Sequence, residues 1–173
     1  MPRTRSTHLL TLFAFSAFGA AGPTQAHDVD SPLQGLSEVP SVATAATGKF
    51  SANFDDTNSS IAYRLAYSGL EGDVRQAHIH FGQRKVNGGI MVFLCQTSFN
   101  PDPTGLAPTC PQTGVVNGTL TAANVIGPSG QGVDPGEFAE LVSAIKAGAA
   151  YANVHSTKFP GGEVRAQFST KDD

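Results

Sequence analysis

The stretch Ala77-His78-Ile79-His80-Phe81-Gly82 predicts an extended strand with two unlike faces, and the rest of the fold is organised around it. Side chains of a strand alternate between its faces, so His78 and His80 point the same way, about 7 Å apart along the strand. Two imidazoles on one face can bind one metal ion. A related segment, Ala152-Asn153-Val154-His155-Ser156, adds a third histidine. The candidate metal ligands are therefore His78, His80 and His155.

The segments around this strand predict further antiparallel strands. In residues 61–67 the apolar and polar side chains alternate, which is typical of a strand with one face towards a core. A polar turn at 55–60 joins that strand to residues 48–54 as a hairpin. Residues 27–36 are expected to be an extended lead-in. Further strands are predicted at 90–94, 118–126, 151–155 and 163–168.

One short helix is predicted near residues 135–147. Asp134 is placed to cap it, Pro135 suits its first position, Glu137 suits a capping box, and Gly148 suits its end. An apolar stripe at helical spacing predicts that one side packs on the sheet; it comprises Phe138, Leu141, Val142 and Ile145. The predicted fold class is all-β, an antiparallel sandwich or barrel with this helix.

Residues 1–26 have the pattern of a signal peptide. Arg3 and Arg5 give a basic start, the apolar run is too short to remain in a bilayer, and Thr24-Gln25-Ala26 is an acceptable cleavage site. We therefore expect a periplasmic or secreted protein with no stable membrane insertion after cleavage.

The mature chain, residues 27–173, is predicted to be a single domain large enough to bury a core. Removing the leader leaves nine Lys and Arg residues against fourteen Asp and Glu residues, a net charge of −5 with histidine neutral. These charges are scattered, which excludes a basic nucleic-acid surface. In an oxidising compartment, Cys95 and Cys110 are expected to form one structural disulfide.

The segments that follow the two histidine strands are similar. In both, a histidine is followed by a loop that contains Gly-Gly and by a return strand, so His80 corresponds to His155 and Asn153 to His78. If the two hairpins are neighbours in the sheet, their histidines lie at comparable heights. This pattern predicts a shared site at the end of the sandwich where the hairpins turn.

Several motifs together resemble the CHRD domain, a module named from chordin that is common in secreted bacterial proteins. In order they are Glu38-Val39-Pro40, Ala77-His78-Ile79-His80, Asn87-Gly88-Gly89, Gly118-Thr119-Leu120-Thr121, Asn153-Val154-His155 and Phe159-Pro160-Gly161-Gly162-Glu163-Val164-Arg165. The resemblance covers roughly residues 31–169. It implies an immunoglobulin-like β-barrel and a distant similarity to copper-zinc superoxide dismutase.

The strand His78-Ile79-His80-Phe81-Gly82 resembles the strand that supplies copper ligands in that dismutase. The resemblance does not extend to the whole site. Where the bridging imidazole is expected, the chain reads Gln83-Arg84-Lys85, and no cluster of zinc ligands follows. These differences argue against dismutase activity, and no catalytic residue is assigned.

The ligand type indicates the ion. Neutral imidazoles suit copper, zinc or nickel, and affinity rises towards copper in the divalent series, so copper is expected, with zinc as the alternative. Protonation of unperturbed histidines predicts that binding weakens below a pH of about 6.5. Further candidates are His27 as a terminal chelator, Met91 as a soft ligand or core residue, and Glu163 with Arg165 as a surface ion pair or as support for His155.

Two functions remain open. The first is a copper-binding protein for storage, delivery or protection. The second is an adhesion module that binds another extracytoplasmic protein or a polysaccharide through its loops, in which case the histidines serve only the fold.

Overall fold

The computed structural model describes residues 27–55 and 60–169, so the predicted signal peptide lies outside the described residues. The described chain contains eight strands and one α-helix. The strands are β1 (His27–Gln34), β2 (Thr47–Asp55), β3 (Ser60–Ser68), β4 (Val74–Phe81), β5 (Gly89–Cys95), β6 (Gly114–Leu120), β7 (Ala150–Ser156) and β8 (Val164–Gln167). The helix, α1, is Phe138–Lys146.

The eight strands form a single sheet in the order β5-β4-β7-β8-β1-β2-β3-β6. All neighbouring strands in this order are antiparallel. The sheet curls until its edges approach each other, and the Tyr63 hydroxyl on β3 donates a 2.6 Å hydrogen bond to the carbonyl of Leu94 on β5. The prediction of an all-β antiparallel barrel with one short helix is confirmed.

Three element boundaries differ from those predicted. The expected lead-in forms a full strand, β1, which pairs with β2 along its whole length. Strand β6 ends at Leu120, because the side chains of Thr121 and Asn124 form a capping box around a 3₁₀ turn. Helix α1 begins at Phe138, and the Glu137 carboxylate accepts a hydrogen bond from the Asp134 amide in the turn before it.

The core lies inside the curled sheet and is closed by α1. The predicted helix stripe is confirmed, since Phe138, Leu141 and Ile145 are buried and Val142 packs against the core. Rings from distant strands meet in the interior, where Phe50 and Phe168 stack with their centroids 4.8 Å apart. Burying this much apolar side-chain surface is the main favourable term in the stability of such a fold.

The predicted disulfide between Cys95 and Cys110 is confirmed. It closes a surface loop over a sequence separation of 15 residues. Such a closure stabilises a domain by about 3 kcal/mol, because it lowers the entropy of the unfolded chain. We expect the Cys95→Ser/Cys110→Ser variant to unfold at a lower urea concentration than the wild type, with a free energy of unfolding that is lower by about 3 kcal/mol. If its affinity for copper also falls, the loop contributes to metal binding as well as to the stability of the fold.

Candidate metal centre

The three predicted histidines come together on two neighbouring strands. In the antiparallel pairing of β4 with β7, His78 lies opposite Asn153, while His155 lies opposite Gln76 and therefore diagonal to His78. One nitrogen of each imidazole lies within 4.8 Å of the others. Strand parity places His78 and His80 on one face, as the sequence predicted, and the antiparallel pairing brings His155 alongside them.

These histidines lie on the face of the sheet that is opposite to the core. Their strand neighbours Ile79 and Val154 belong to the apolar core, so the imidazoles point away from it. That outer face is nevertheless covered, since His78, His80 and His155 are 0%, 8% and 5% exposed. The centre is therefore a buried polar layer over β4 and β7, and the predicted position at the end of the sandwich is replaced by this one.

Two backbone carbonyls fix the tautomers of two of the rings. His80 Nδ1 lies 2.9 Å from the carbonyl of Gly88, and His155 Nδ1 lies 2.9 Å from the carbonyl of Pro160. A carbonyl only accepts hydrogen bonds, so Nδ1 carries the proton in both rings. The Nε2 atoms of His80 and His155 are therefore unprotonated, the form in which imidazole binds a metal.

The third ring completes the group. His78 Nδ1 lies 3.1 Å from His155 Nε2, and in the absence of an ion it donates a hydrogen bond to that bare nitrogen. Two nitrogens at this separation are also close enough to bind one ion, since metal–imidazole bonds are about 2.0–2.1 Å long. The Nε2 atoms of His78 and His80 are buried without a hydrogen-bond partner. Such unsatisfied atoms are rare in a fold and point to a ligand.

Burial keeps all three rings neutral. Desolvation lowers the pKa of His78 to about 2, with further lowering by the neighbouring His155 and His80. Desolvation likewise lowers the pKa of His80 to about 4, partly offset by its hydrogen bond to Gly88. The pKa of His155 is also lowered by burial. The proton therefore competes with a metal only well below the expected pH of about 6.5.

Aromatic contacts hold two of the rings in place. Tyr151 stacks on His80 with the ring planes 3° apart and the centroids 4.8 Å apart. The guanidinium of Arg165 in turn lies over the ring of Tyr151, 3.4 Å from the ring centroid. Phe93 on β5 packs edge to face against His78 at 4.3 Å. These contacts fix ring orientations that hydrogen bonds alone leave free to tilt.

Sequence reasoning assigned no site role to two further buried groups. The side chains of Glu38 and Asn153 are 5% and 2% exposed, and each has an oxygen without a hydrogen-bond partner. Burial raises the pKa of Glu38 to about 7. A Cβ atom at Gly162 would clash with the Glu38 carboxylate, so only glycine leaves room for this carboxylate. Because side chains alternate along β7, Asn153 could have been predicted to share a face with His155. Nothing in the sequence indicated that Glu38 lies near this face.

The remaining candidates have other positions. Met91 is fully buried in the apolar core. Glu163 and Arg165 are buried, so the interpretation as a surface ion pair is wrong. Glu163 accepts hydrogen bonds from the Thr44 hydroxyl and the Glu71 amide. Arg165 donates to loop carbonyls. The side chain of His27 lies outside the described residues.

The strands that begin the two similar hairpins are neighbours in the sheet, since β4 pairs with β7. His78 pairs with Asn153 and His80 pairs with Tyr151, so the equivalent residues His80 and His155 are not opposite each other. The reason is that β4 and β7 run antiparallel, so the equivalent ends of the two hairpins point in opposite directions. The histidines meet because His155 is diagonal to His78.

The fold and the histidine layer define a class of protein, an all-β domain with a buried imidazole cluster outside its core. The family model of the CHRD domain matches residues 29–168, and the chain belongs to this family. No curated protein and no solved structure matched the chain. CHRD domains are extracellular, and the disulfide is consistent with an oxidising compartment. In the described part of the chain, no helix has the length and apolar character needed to cross a membrane.

Proposed function

We propose that this chain is a periplasmic or secreted metal-binding protein whose ion, most favourably copper, is held by His78, His80 and His155. The observation that carries the proposal is the convergence of three imidazole nitrogens within 4.8 Å of one another. Two of the rings have their second nitrogen occupied by a backbone carbonyl, as metal-binding histidines generally do. The nitrogens that would hold the ion are Nε2 of His80, Nε2 of His155 and one ring nitrogen of His78.

The donor set favours copper, with zinc as the alternative. Three neutral imidazoles suit both ions, and affinity for nitrogen ligands is higher for divalent copper than for zinc. Because the pKa values of these histidines are lowered, the site is ready to bind without first releasing protons at neutral pH. The role we propose is binding for storage, delivery or protection, and we assign no reaction.

The test is titration of the metal-free protein with divalent copper and with zinc. We expect one tight site per chain, and an electron paramagnetic resonance spectrum of the copper form with splitting from several nitrogens. Copper should displace zinc. Binding weaker than millimolar for both ions would exclude the proposal, because three preformed imidazoles leave little ordering cost to overcome.

Removal of the signal peptide and the compartment of the protein can be tested separately from metal binding. We propose that residues 1–26 are removed on export and that His27 begins the mature protein. Mass spectrometry of the exported protein would show this amino terminus, and fractionation would distinguish the periplasm from the medium. A retained leader would contradict the proposed processing.

One observation favours the adhesion module as a second candidate. Within the loop closed by the disulfide, the large apolar side chains of Phe99 and Leu106 are 78% and 55% exposed. A partner protein could cover them. This function stands if the titrations show no metal site.

A further inference from the structure

A cavity of about 370 Å³ lies beside the metal centre and takes no part in holding the ion. One wall is the segment 36–41, which leads out of β1 towards β2, and the other is formed by Arg84 and Lys85. Arg165 and Gln167 on β8 also line it. The volume is at the lower end of the range for small-molecule sites in proteins.

The cavity is strongly cationic. Arg84 and Lys85 are exposed at its rim, and the guanidinium of Arg165 is buried in its wall. Arg165 already donates to Asn87, Gln167 and the Val86 carbonyl, so it contributes charge, while the two rim residues are placed to contact a ligand directly. Arginine and lysine together recognise carboxylate and phosphate groups.

The backbone at the rim is unusual. Lys85 has a φ of 68°, in the left-handed region that lysine rarely adopts. This conformation is strained for a residue with a side chain. Strain of this kind is retained where the surrounding structure requires it, often at ligand sites. Here the left-handed turn puts the lysine on the cavity wall.

Two serine hydroxyls also line the cavity. Ser37 and Ser41 belong to the wall formed by segment 36–41, and a serine hydroxyl can both donate to and accept from a hydroxyl group of a ligand. Glu38 is part of this wall too, but its unsatisfied Oε1 is buried beside Gly162. Leu36, Val39 and Pro40 supply the apolar part of the lining, against which carbon–hydrogen groups can pack.

We propose that this cavity binds a small hydroxylated organic anion of the sugar-acid or hydroxy-acid class. The anionic group contacts Arg84 and Lys85, a hydroxyl contacts Ser37 or Ser41, and the carbon skeleton lies against the apolar wall. This site is separate from the metal site, since none of the three histidines lines the cavity.

The experiment is calorimetric titration of metal-free protein in Tris-chloride with glucuronate, glucose and inorganic phosphate as probes. We expect glucuronate to bind at least tenfold more tightly than either of the others, because only it has both the charge and the hydroxyls. The same result is expected for the His155→Ala variant, so failure of the metal site does not affect this test. Equal binding of glucose or of phosphate would overturn the proposal.

A matched pair of variants completes the test. Arg84→Gln/Lys85→Gln removes two exposed charges from the rim, and we expect it to weaken glucuronate binding at least tenfold. Lys49→Gln/Arg64→Gln removes the same charge from exposed positions on β2 and β3 that do not line the cavity, and it should bind as the wild type does. Equal weakening in both variants would mean that only net charge matters, and no effect in either would mean that the rim does not bind the anion; both results overturn the proposal.

Discussion

Replacing His155 by alanine is expected to weaken copper binding by about 100-fold or more. Loss of a group that merely supports a ligand typically costs about 10- to 100-fold in metal affinity, and loss of a ligand should cost at least as much. His78→Ala and His80→Ala should have similar effects, because the three nitrogens lie within 4.8 Å of one another and act as one site. Competition titration against a copper chelator would measure these losses.

His27→Ala separates the terminal chelator from the centre, because it removes the candidate ligand at the start of β1 and keeps His78, His80 and His155. It should leave the tight site unchanged. Because all three candidate ligands are buried, the alanine variants create cavities, and circular dichroism must show that the β fold survives. His→Gln variants at the same positions fill more of the space and provide a second test. Wild-type affinity in all three His→Ala variants would mean that the site does not exist.

The sequence was sufficient to predict most of the strands, because alternation in β3 and the apolar run in β5 follow from elementary strand geometry. It did not identify β1 as a full strand, and it placed β6 several residues too late in the chain. It could not predict which strands are neighbours. The placement of β7 between β4 and β8 is a long-range pairing, and this pairing brings His155 to His78. The repeated hairpin predicted that the histidines meet but not how, since the similarity of two segments does not reveal their relative direction.

Burial was the second property that the sequence concealed. Strand β7 is buried along its whole length, although Tyr151, Asn153 and His155 are polar and lie on the face away from the core. Arg165 is 1% exposed for the same reason, because it bonds to carbonyls in the loop that covers this face. From the sequence alone, a charged residue in a short strand is interpreted as a surface residue, because the loop that covers it cannot be predicted. The cavity at Glu38 depends on the same loop packing.

Burial of neutral histidines also predicts a specific acid sensitivity of the metal-free protein. In the unfolded chain the imidazoles have a pKa of about 6.5, whereas in the folded chain the pKa values are about 4 for His80 and about 2 for His78. Between these limits the unfolded chain binds protons that the folded chain excludes. The contribution of the two neutral histidines to the free energy of unfolding is therefore fully present above pH 6.5, and it is lost progressively as pH falls towards the folded pKa values.

The expected size is about 2 kcal/mol of unfolding free energy per histidine between pH 7.5 and pH 5, or about 4 kcal/mol for His78 and His80 together. Glu38 acts in the opposite direction, because a carboxyl with a raised pKa of about 7 favours the folded chain at low pH. Its contribution is present in both wild type and variant, so it cancels when the two are compared. The loss of stability on acidification should thus be about 4 kcal/mol smaller in His78→Asn/His80→Asn than in wild type.

Urea unfolding of both metal-free proteins at the two pH values measures this difference directly. The comparison is informative even though the double substitution changes absolute stability, because only the dependence on pH is compared. Copper should raise the stability of the wild type at both pH values and leave its dependence on pH in place, since an ion that binds only the folded chain stabilises it by mass action while the unfolded chain still takes up the protons. An equal pH dependence in wild type and variant would show that the two imidazoles titrate in the folded chain as they do in the unfolded chain, which would contradict their burial in the neutral form.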